Sequence, residues 1–269
     1  MDSRPLGVFD SGVGGLTVAR EIMRRLPSER IIYFGDTARV PYGTKSADTI
    51  RRYSAQIADF LLSKKVKAIV VACNTASALA LETLRRKYKL PVIGVIEPAC
   101  RLAVSVSRRA RIGVIGTEAT VRSGAYPAAI KKISARAAVT TRACPILVPL
   151  AEEGRLSGNI TEDVLKDYLK GMRGGRLDTL ILGCTHYPLL ASAIKKVVGK
   201  NVTVVDSAVA VVSELRQILS SSGLSAASGG RRLSHRFYVS DSPERFAKMG
   251  KRFLRARFKA SVTKVNLIV

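Results

Sequence analysis

The sequence has no tryptophan, only two histidines and few acidic residues. Because 20 Asp and Glu oppose 45 Lys and Arg, the formal net charge is +25 over 269 residues. This charge exceeds the magnitude of roughly 2–8 that suits a small soluble domain, so the surface should attract anionic partners. No helix-turn-helix, zinc-finger or RNA-binding signature accompanies the charge. Nucleic-acid binding is therefore a secondary hypothesis.

Long hydrophobic runs are also missing. The N-terminus lacks the charged segment and long apolar stretch of a signal peptide. The most apolar window, 68–81, is interrupted by Asn74, Thr75 and Ser77 and is shorter than the ~18 residues of a membrane span. We therefore expect a cytoplasmic protein without a membrane span. In that reducing compartment, its four cysteines should be free thiols, ligands or catalysts.

The hydrophobic pattern predicts an α/β protein. A length of 269 residues suggests about two domains, since a domain has roughly 150 residues. Short β-branched runs alternate with segments long enough for crossover helices. Continuous apolar runs such as 68–72 are typical of parallel strands that are buried on both faces. The predicted strands are 6–9, 31–34, 68–72, 91–96, 111–115, 179–182, 202–205, 237–239 and 262–268.

Three hydroxyl residues, Ser46, Thr161 and Ser242, precede acidic or proline residues and are predicted helix N-caps. The helix after Ser242 has apolar residues at helical spacing, so its other face should be exposed and basic. That face is the predicted surface for anionic partners and holds Arg245, Lys248, Lys251, Arg252 and Arg255.

Two cysteines occupy matching positions. Cys73 and Cys184 each follow a predicted buried strand and precede a predicted helix. Ligands of parallel sheets bind beyond the carboxyl ends of the strands, so both thiols should lie in a binding cleft. A helix N-terminus should lower the pKa of each thiol and favour a nucleophilic or basic thiolate. Cys100 and Cys144 lack this setting and are predicted to be buried apolar residues.

Other uses of these residues are less consistent with the sequence. Cys73, Cys184 and His186 would supply three zinc ligands, but there is no Cys-x-x-Cys pair and His235 is the only other histidine. A Cys/His nucleophile for acyl transfer would leave the second matching cysteine without a role. The glycine-rich turn at 12–15 matches neither a Walker A loop nor a dinucleotide fingerprint, although its N–H groups would suit a small anion.

Four motifs together resemble the glutamate racemase family, within the aspartate/glutamate racemase superfamily. They are Asp-Ser-Gly-Val-Gly-Gly-Leu at 10–16, Pro-Tyr-Gly at 41–43, Ala-Cys-Asn-Thr-Ala at 72–76 and Gly-Cys-Thr-His-Tyr-Pro at 183–188. The resemblance implies two similar flavodoxin-like domains that face each other across a central cleft. One comprises 1–97 with 207–269, and the other 98–206. It also implies a cofactor-independent isomerase that interconverts L- and D-glutamate for peptidoglycan synthesis and cell shape.

The resemblance assigns roles to individual residues. It implies that Cys73 and Cys184 are the catalytic thiols, that Asp10 assists Cys73 and His186 assists Cys184, and that Glu152 is a further assisting residue. The substrate-binding residues that it implies are Asp10, Ser11, Tyr42, Gly43, Asn74, Thr75, Thr117, Thr120, Thr185 and His186. No metal or organic cofactor is expected. Further partner hypotheses are a homodimer and a weak association with DNA or a DNA-processing enzyme.

Two thiols suit racemisation because one removes the α-hydrogen from one face of the substrate while the other protonates the opposite face. No lysine motif for pyridoxal phosphate is evident, so N–H groups and hydroxyls around the α-carboxylate would stabilise the carbanion. A two-thiol mechanism does not fix the length of the substrate side chain. Aspartate and hydantoin racemisation therefore stay open as alternatives.

Overall fold

The computed structural model describes residues 2–172, 174–227, 233–255 and 261–267. In this part of the chain, ten strands alternate with helices. The strands are β1 (Leu6–Asp10), β2 (Ile31–Gly35), β3 (Ala68–Val71), β4 (Val92–Gly94), β5 (Arg111–Gly116), β6 (Ala138–Ala143), β7 (Thr179–Gly183), β8 (Thr203–Asp206), β9 (Arg236–Val239) and β10 (Val262–Lys264).

Most of the helices are short crossover segments between parallel strands. They are α1 (Leu16–Arg25), α2 (Ala47–Ser63), α3 (Asn74–Leu79), α4 (Leu81–Lys87), α5 (Ile96–Val106), α6 (Glu118–Arg122), α7 (Ala125–Ile133), α8 (Leu147–Glu152), α9 (Asn159–Tyr168), α10 (Ala191–Val198), α11 (Ser207–Ser221) and α12 (Pro243–Leu254). Single 3-10 turns span Tyr42–Thr44, Lys170–Met172 and Tyr187–Leu190. None of the helices in the described ranges combines the length and apolar character of a bilayer span.

The strands form two parallel sheets with related topology. One sheet has the order β10-β9-β2-β1-β3-β4, and the other has the order β6-β5-β7-β8. Four consecutive strands in each sheet therefore follow the order second, first, third, fourth, which is the flavodoxin-like arrangement. In this order a crevice opens where the first and third strands end. The predicted α/β class with two similar parallel-sheet units is confirmed.

The two sheets share a continuous core. One cluster of buried side chains includes Leu6 and Tyr33 from the six-stranded sheet and Leu180 and Tyr187 from the other half. Helix α11 lies between the halves and contacts both α1 and α5. The predicted boundary between 97 and 98 falls inside α5, whereas that between 206 and 207 falls at the start of α11. The domain limits themselves stay a prediction.

The structure confirms the predicted strands but only one of the three predicted helix N-caps. Each predicted strand overlaps an observed one, although 268 lies outside the described residues. Ser46 caps α2 by accepting the Thr49 N–H. The cap prediction for Thr161 is wrong, because α9 begins two residues earlier and the Thr161 hydroxyl donates to the carbonyl of Arg155. Helix α12 does begin at Pro243, but Ser242 adopts a left-handed conformation and makes no side-chain cap.

Candidate active site

Both matching cysteines face one cavity at the carboxyl edges of the sheets. Cys73 follows β3 and Cys184 follows β7, and both are buried. The cavity has a volume of about 70 Å³. Its walls contain all of the predicted site residues except Asp10 and Thr120. The lining residues are Ser11, Gly12, Val40, Pro41, Tyr42, Gly43, Cys73, Asn74, Thr75, Thr117, Val148, Glu152, Cys184, Thr185 and His186.

The surroundings of Cys73 favour the neutral thiol. Burial, and next the Asp10 carboxylate, raise the pKa of Cys73 to about 12, although the Ala76 N–H and the Ser11 hydroxyl oppose this. The Cys73 Sγ lies 3.8 Å from the Ser11 Oγ. The expected lowering of this pKa by the helix N-terminus is wrong. Helix α3 has only six residues, so its dipole does not offset the desolvation of a buried thiolate.

Cys184 has a cationic neighbour instead of an acidic one. Its Sγ lies 3.8 Å from the His186 Nδ1, and the His186 Nε2 lies 3.0 Å from the Glu152 Oε1. Burial disfavours the imidazolium, but hydrogen bonds with Cys184 and Glu152 raise the pKa of His186 to about 10. Cys184 therefore lies beside an imidazolium. The predicted helix directly after Cys184 is wrong, because a 3-10 turn intervenes and α10 begins at Ala191.

Glu152 completes this arrangement from the end of α8. Burial alone would raise the pKa of its carboxyl, but the hydrogen bond and charge of His186 hold that pKa below its usual range. The carboxylate therefore stays ionised and supports the imidazolium. Cys184, His186 and Glu152 form a chain of polar contacts that leads from the cavity toward the surface, since the Glu152 side chain is 29% exposed.

Asp10 lies behind the cavity wall and faces both halves of the site. Its Oδ2 accepts the Gly12 N–H at 3.0 Å, and its Oδ1 accepts the Thr185 hydroxyl at 3.4 Å. Burial raises the pKa of Asp10, while the His186 charge and the N–H groups of Gly12 and Gly15 oppose this. Sequence reasoning paired Asp10 with Cys73 alone. The fold also brings it beside Thr185 and within electrostatic reach of His186.

The glycine-rich turn after β1 packs against the opposite half of the molecule. A Cβ at Gly14 would lie 2.3 Å from the Thr185 Oγ1 and 2.6 Å from the His186 Nδ1. A Cβ at Gly15 would lie 2.5 Å from the Asp10 Cβ. Of the three glycines only Gly12 lines the cavity, and its N–H donates to Asp10, so an anion-binding role for this turn stays a prediction. Gly14 and Gly15 are required for close packing.

Polar groups from both halves meet at the other end of the cavity. The hydroxyl of Thr75 lies 2.9 Å from that of Thr117, and Thr120 lies behind both at 3.2 and 2.9 Å. Asn74 Oδ1 accepts the Tyr126 hydroxyl at 2.7 Å. The buried Asn74 Nδ2 has no hydrogen-bond partner among the described residues. This amide is a donor that a bound anionic group would satisfy.

The Tyr42 hydroxyl does not face the cavity as a free donor, because it donates to the buried Asp36 carboxylate. Asp36 also accepts two hydrogen bonds from the Arg39 Nε, at 2.9 and 2.7 Å, and one from the Ser240 hydroxyl at 2.8 Å. The backbone of Tyr42 and Gly43 is therefore what this loop can offer a ligand. A Cβ at Gly43 would lie 2.9 Å from the Thr117 Cβ, so the loop closes directly on the opposite half.

Sequence reasoning did not assign a role to Val40 or Val148. Val40, which is 47% exposed, and Val148 add apolar surface to the cavity. Pro41 and Gly12 also line it, and both belonged to the motifs. Nothing local to the sequence marks Val148, because it reaches the site only through the folding of α8 against the 3-10 turn after His186.

Larger grooves lie elsewhere on the surface. One of about 960 Å³ at the opposite edge of the four-stranded sheet is lined by Arg108, Arg109 and Lys200 among others, but by none of the predicted site residues. Size alone would therefore misplace the site. Within the described residues, no group of three or more His, Cys, Asp or Glu side chains is arranged to hold a metal ion. Cys100 and Cys144 are buried free thiols.

The fold and the site define an α/β protein in which each half contributes one thiol to a single small cavity. The sequence model of the Asp/Glu/Hydantoin racemase family matches residues 14–215. The chain belongs to this family and is an isomerase, as the resemblance predicted.

Individual relatives are similar to the chain over nearly its whole length. The glutamate racemase of Geobacter metallireducens is 51% identical over 254 residues, which are 94% of each chain. Glutamate racemase isoform RacE1 from Bacillus anthracis has a TM-score of 0.94 at 40% identity, with 99% of each chain covered. The Francisella tularensis glutamate racemase, solved in complex with D-glutamate, has a TM-score of 0.91 at 41% identity, again with 99% of each chain covered.

Proposed function

We propose that the protein interconverts L- and D-glutamate without a metal or organic cofactor, and that Cys73 and Cys184 are its two acid–base groups. The observation that carries the proposal is that both thiols line one small cavity, each from the end of the third strand of its sheet. Glutamate is favoured over aspartate or a hydantoin because the similar relatives are named glutamate racemases.

The two thiols would act from opposite faces of the substrate. In one direction the Cys184 thiolate, beside the His186 imidazolium, takes the α-hydrogen while the Cys73 thiol delivers its proton to the other face. In the reverse direction the roles exchange, and Asp10 lies near Cys73 as a secondary proton acceptor. The unpartnered Asn74 amide, the threonine hydroxyls and the N–H groups at Ser11 and Gly43 would hold the carboxylates and stabilise the developing negative charge.

The cavity must enlarge to admit an amino acid. Ligand pockets usually measure roughly 300–1,000 Å³, whereas this one measures about 70 Å³. The walls come from both halves, and the Val40 and Gly43 loop closes directly on Thr117. We infer that the halves or this loop separate to admit substrate and then close to exclude water.

The proposal also assigns the protein a cytoplasmic location and the supply of D-glutamate for peptidoglycan.

The proposal is tested with purified protein and each glutamate enantiomer in deuterated water, without added cofactor. Product formed in either direction should acquire deuterium at the α-carbon, since the returned proton comes from a thiol that has exchanged with solvent. Cys73→Ser and Cys184→Ser should each nearly abolish racemisation. Cys100→Ser is the matched control, because this buried cysteine lies outside the cavity. Full activity in either cavity variant would refute the assignment of the thiols.

A further inference from the structure

Helix α12 reaches across to the residues that support Cys184. The helix precedes β10 of the six-stranded sheet, yet its last turn lies beside His186 of the other half. The fully buried Phe253 ring stands nearly perpendicular to the His186 ring, with centroids 5.3 Å apart and planes at 85°. Near-perpendicular ring pairs are favourable contacts that fix relative orientation. The Arg20 Nη1 donates to the Phe253 carbonyl at 3.4 Å and ties this turn to α1.

The neighbouring residue of α12, Arg252, holds the end of α8. Its Nη1 donates to the carbonyl of Glu152 and lies 3.5 Å from the carbonyl of Ala151. The last carbonyls of a helix lack intrahelical partners, and a cation there is favourable. Gly154 has a φ of +76°, and a Cβ at this position would lie 2.7 Å from the Arg252 Cζ. The guanidinium thus packs across a turn that glycine allows.

We propose that Arg252 and Phe253 are positioning residues, which hold Glu152 and His186 in the arrangement that directs the His186 imidazole at Cys184. Helix α8 has only six residues, so it has little intrinsic stability and depends on such tertiary contacts. Arg252 fixes the backbone of Glu152, while Phe253 fixes the ring that Glu152 contacts. The inference rests on the proposed function, in which His186 serves one of two acid–base thiols.

The charged groups around His186 come from several elements. Glu152 faces it from α8, Cys184 from its own loop and Asp10 from β1. On the α12 side, Arg245 acts electrostatically on Glu152, and Arg252 contacts the Glu152 backbone. Removing the Arg252 charge alone would favour protonation of His186. Displacement of the Glu152 carboxylate would instead disfavour protonation of His186. The direction in which the proton affinity of His186 changes therefore distinguishes the two effects.

This sign can be measured by nuclear magnetic resonance on ligand-free protein labelled in its histidines. The chain has only two histidines, and His235 serves as an internal reference because its Nδ1 accepts the Ile31 N–H far from this site. In Arg252→Met and Phe253→Leu, the affinity of His186 for its proton should fall about tenfold, while the titration of His235 stays unchanged. Lys251→Met is the matched control, since it removes an exposed charge from the preceding position.

Kinetics provide a second readout. Arg252→Met should lower kcat unequally in the two directions, because the perturbation reaches the Cys184 side only. Since the equilibrium constant between enantiomers is one, the ratio of the two KM values should change by the same factor as the ratio of the two kcat values. Arg252→Lys, which keeps a cationic donor, should restore most of the loss. Arg252 is exposed, so its variants test the idea even if Phe253→Leu does not fold.

Three outcomes would overturn the positioning role: unchanged or strengthened proton binding by His186 in Arg252→Met, an equal effect in Lys251→Met, or equal kcat losses in both directions. Wild-type protein that fails to racemise glutamate would refute the proposed function instead. The histidine titration would still test the α12 contact in that event, because it needs no substrate.

Discussion

Replacement of Gly14 by alanine tests whether the glycine-rich turn sets the geometry of the opposite half of the site. The added Cβ would lie 2.3 Å from the Thr185 Oγ1 and 2.6 Å from the Cε1 and Nδ1 of His186. Ordinary contacts of this kind begin at 3.4 Å, so the two segments must separate by about 1 Å. No positive φ is involved at Gly14, and the effect is therefore steric.

The expected loss falls on catalysis more than on folding. A displacement of about 1 Å at a catalytic group costs roughly 10²-fold in rate, which is about 2.7 kcal/mol. Overpacking of this kind costs about 1–3 kcal/mol of stability, less than the 5–15 kcal/mol that typically holds a protein folded. Gly14→Ala should therefore remain folded at 25 °C while kcat/KM for glutamate falls roughly 10²-fold.

The assay follows the optical activity of each glutamate enantiomer, with far-ultraviolet circular dichroism and a thermal melt as checks of folding. Gly171→Ala is the control, because a Cβ there would lie 3.7 Å from the nearest atom, the Arg142 Nη2, in ordinary contact. A folded Gly14→Ala protein with unchanged kcat/KM would refute the reasoning. A similar loss in Gly171→Ala would show that the effect is not specific to the contact between the halves.

Three further outcomes are expected. Exhaustive dialysis against a chelator should leave the racemisation rate unchanged. A loss of activity that zinc restores would instead indicate that the cavity thiols are metal ligands. Asp10→Asn and His186→Asn should lower the kcat values of the two directions by different factors, and identical losses would mean that these residues only shape the site. Duplex DNA should bind at low salt, and a plot of the logarithm of its affinity against the logarithm of salt concentration should have a slope of roughly −0.9 per phosphate contacted. The double variant Lys248→Glu, Lys251→Glu should weaken DNA binding without changing turnover. Unaltered binding would show that the basic face of α12 is not the DNA-binding surface.

The strands that build the cleft were predictable because burial on both faces leaves continuous apolar runs. Strand β6 was not predicted, and its position explains why. It lies at the edge of the four-stranded sheet, and its residues alternate between exposed and half-buried, with Thr140, Thr141 and Arg142 in its middle. An edge strand with one open side gains little from apolar residues, so composition does not distinguish it from a loop.

The positions of the site residues were predictable from motifs, but their contacts were not. Tyr42 belongs to a recognisable motif, yet its hydroxyl is bound by Asp36, so the loop presents backbone groups to the cavity. Gly14 follows the strand as expected of an anion loop, but the opposite half occupies the space beside it. These features depend on atoms that are distant in sequence, and no local pattern records them.

The two thiols show why equivalent positions in related sheets produce unequal chemistry. Cys73 precedes a six-residue helix and lies near Asp10, which with burial favours the protonated thiol. Cys184 precedes a 3-10 turn and contacts His186, whose pKa is raised to about 10, so its neighbour is a cation. In the proposed mechanism each turnover moves a proton from one thiol to the other, so the enzyme must restore its starting state before repeating the same direction. The partly exposed Glu152 beside His186 offers this proton a route to solvent on the Cys184 side. Cys73 must regain a proton as Cys184 loses one, so both thiols exchange with solvent in every cycle: Cys184 through His186 and Glu152, and Cys73 when the cavity opens to release product.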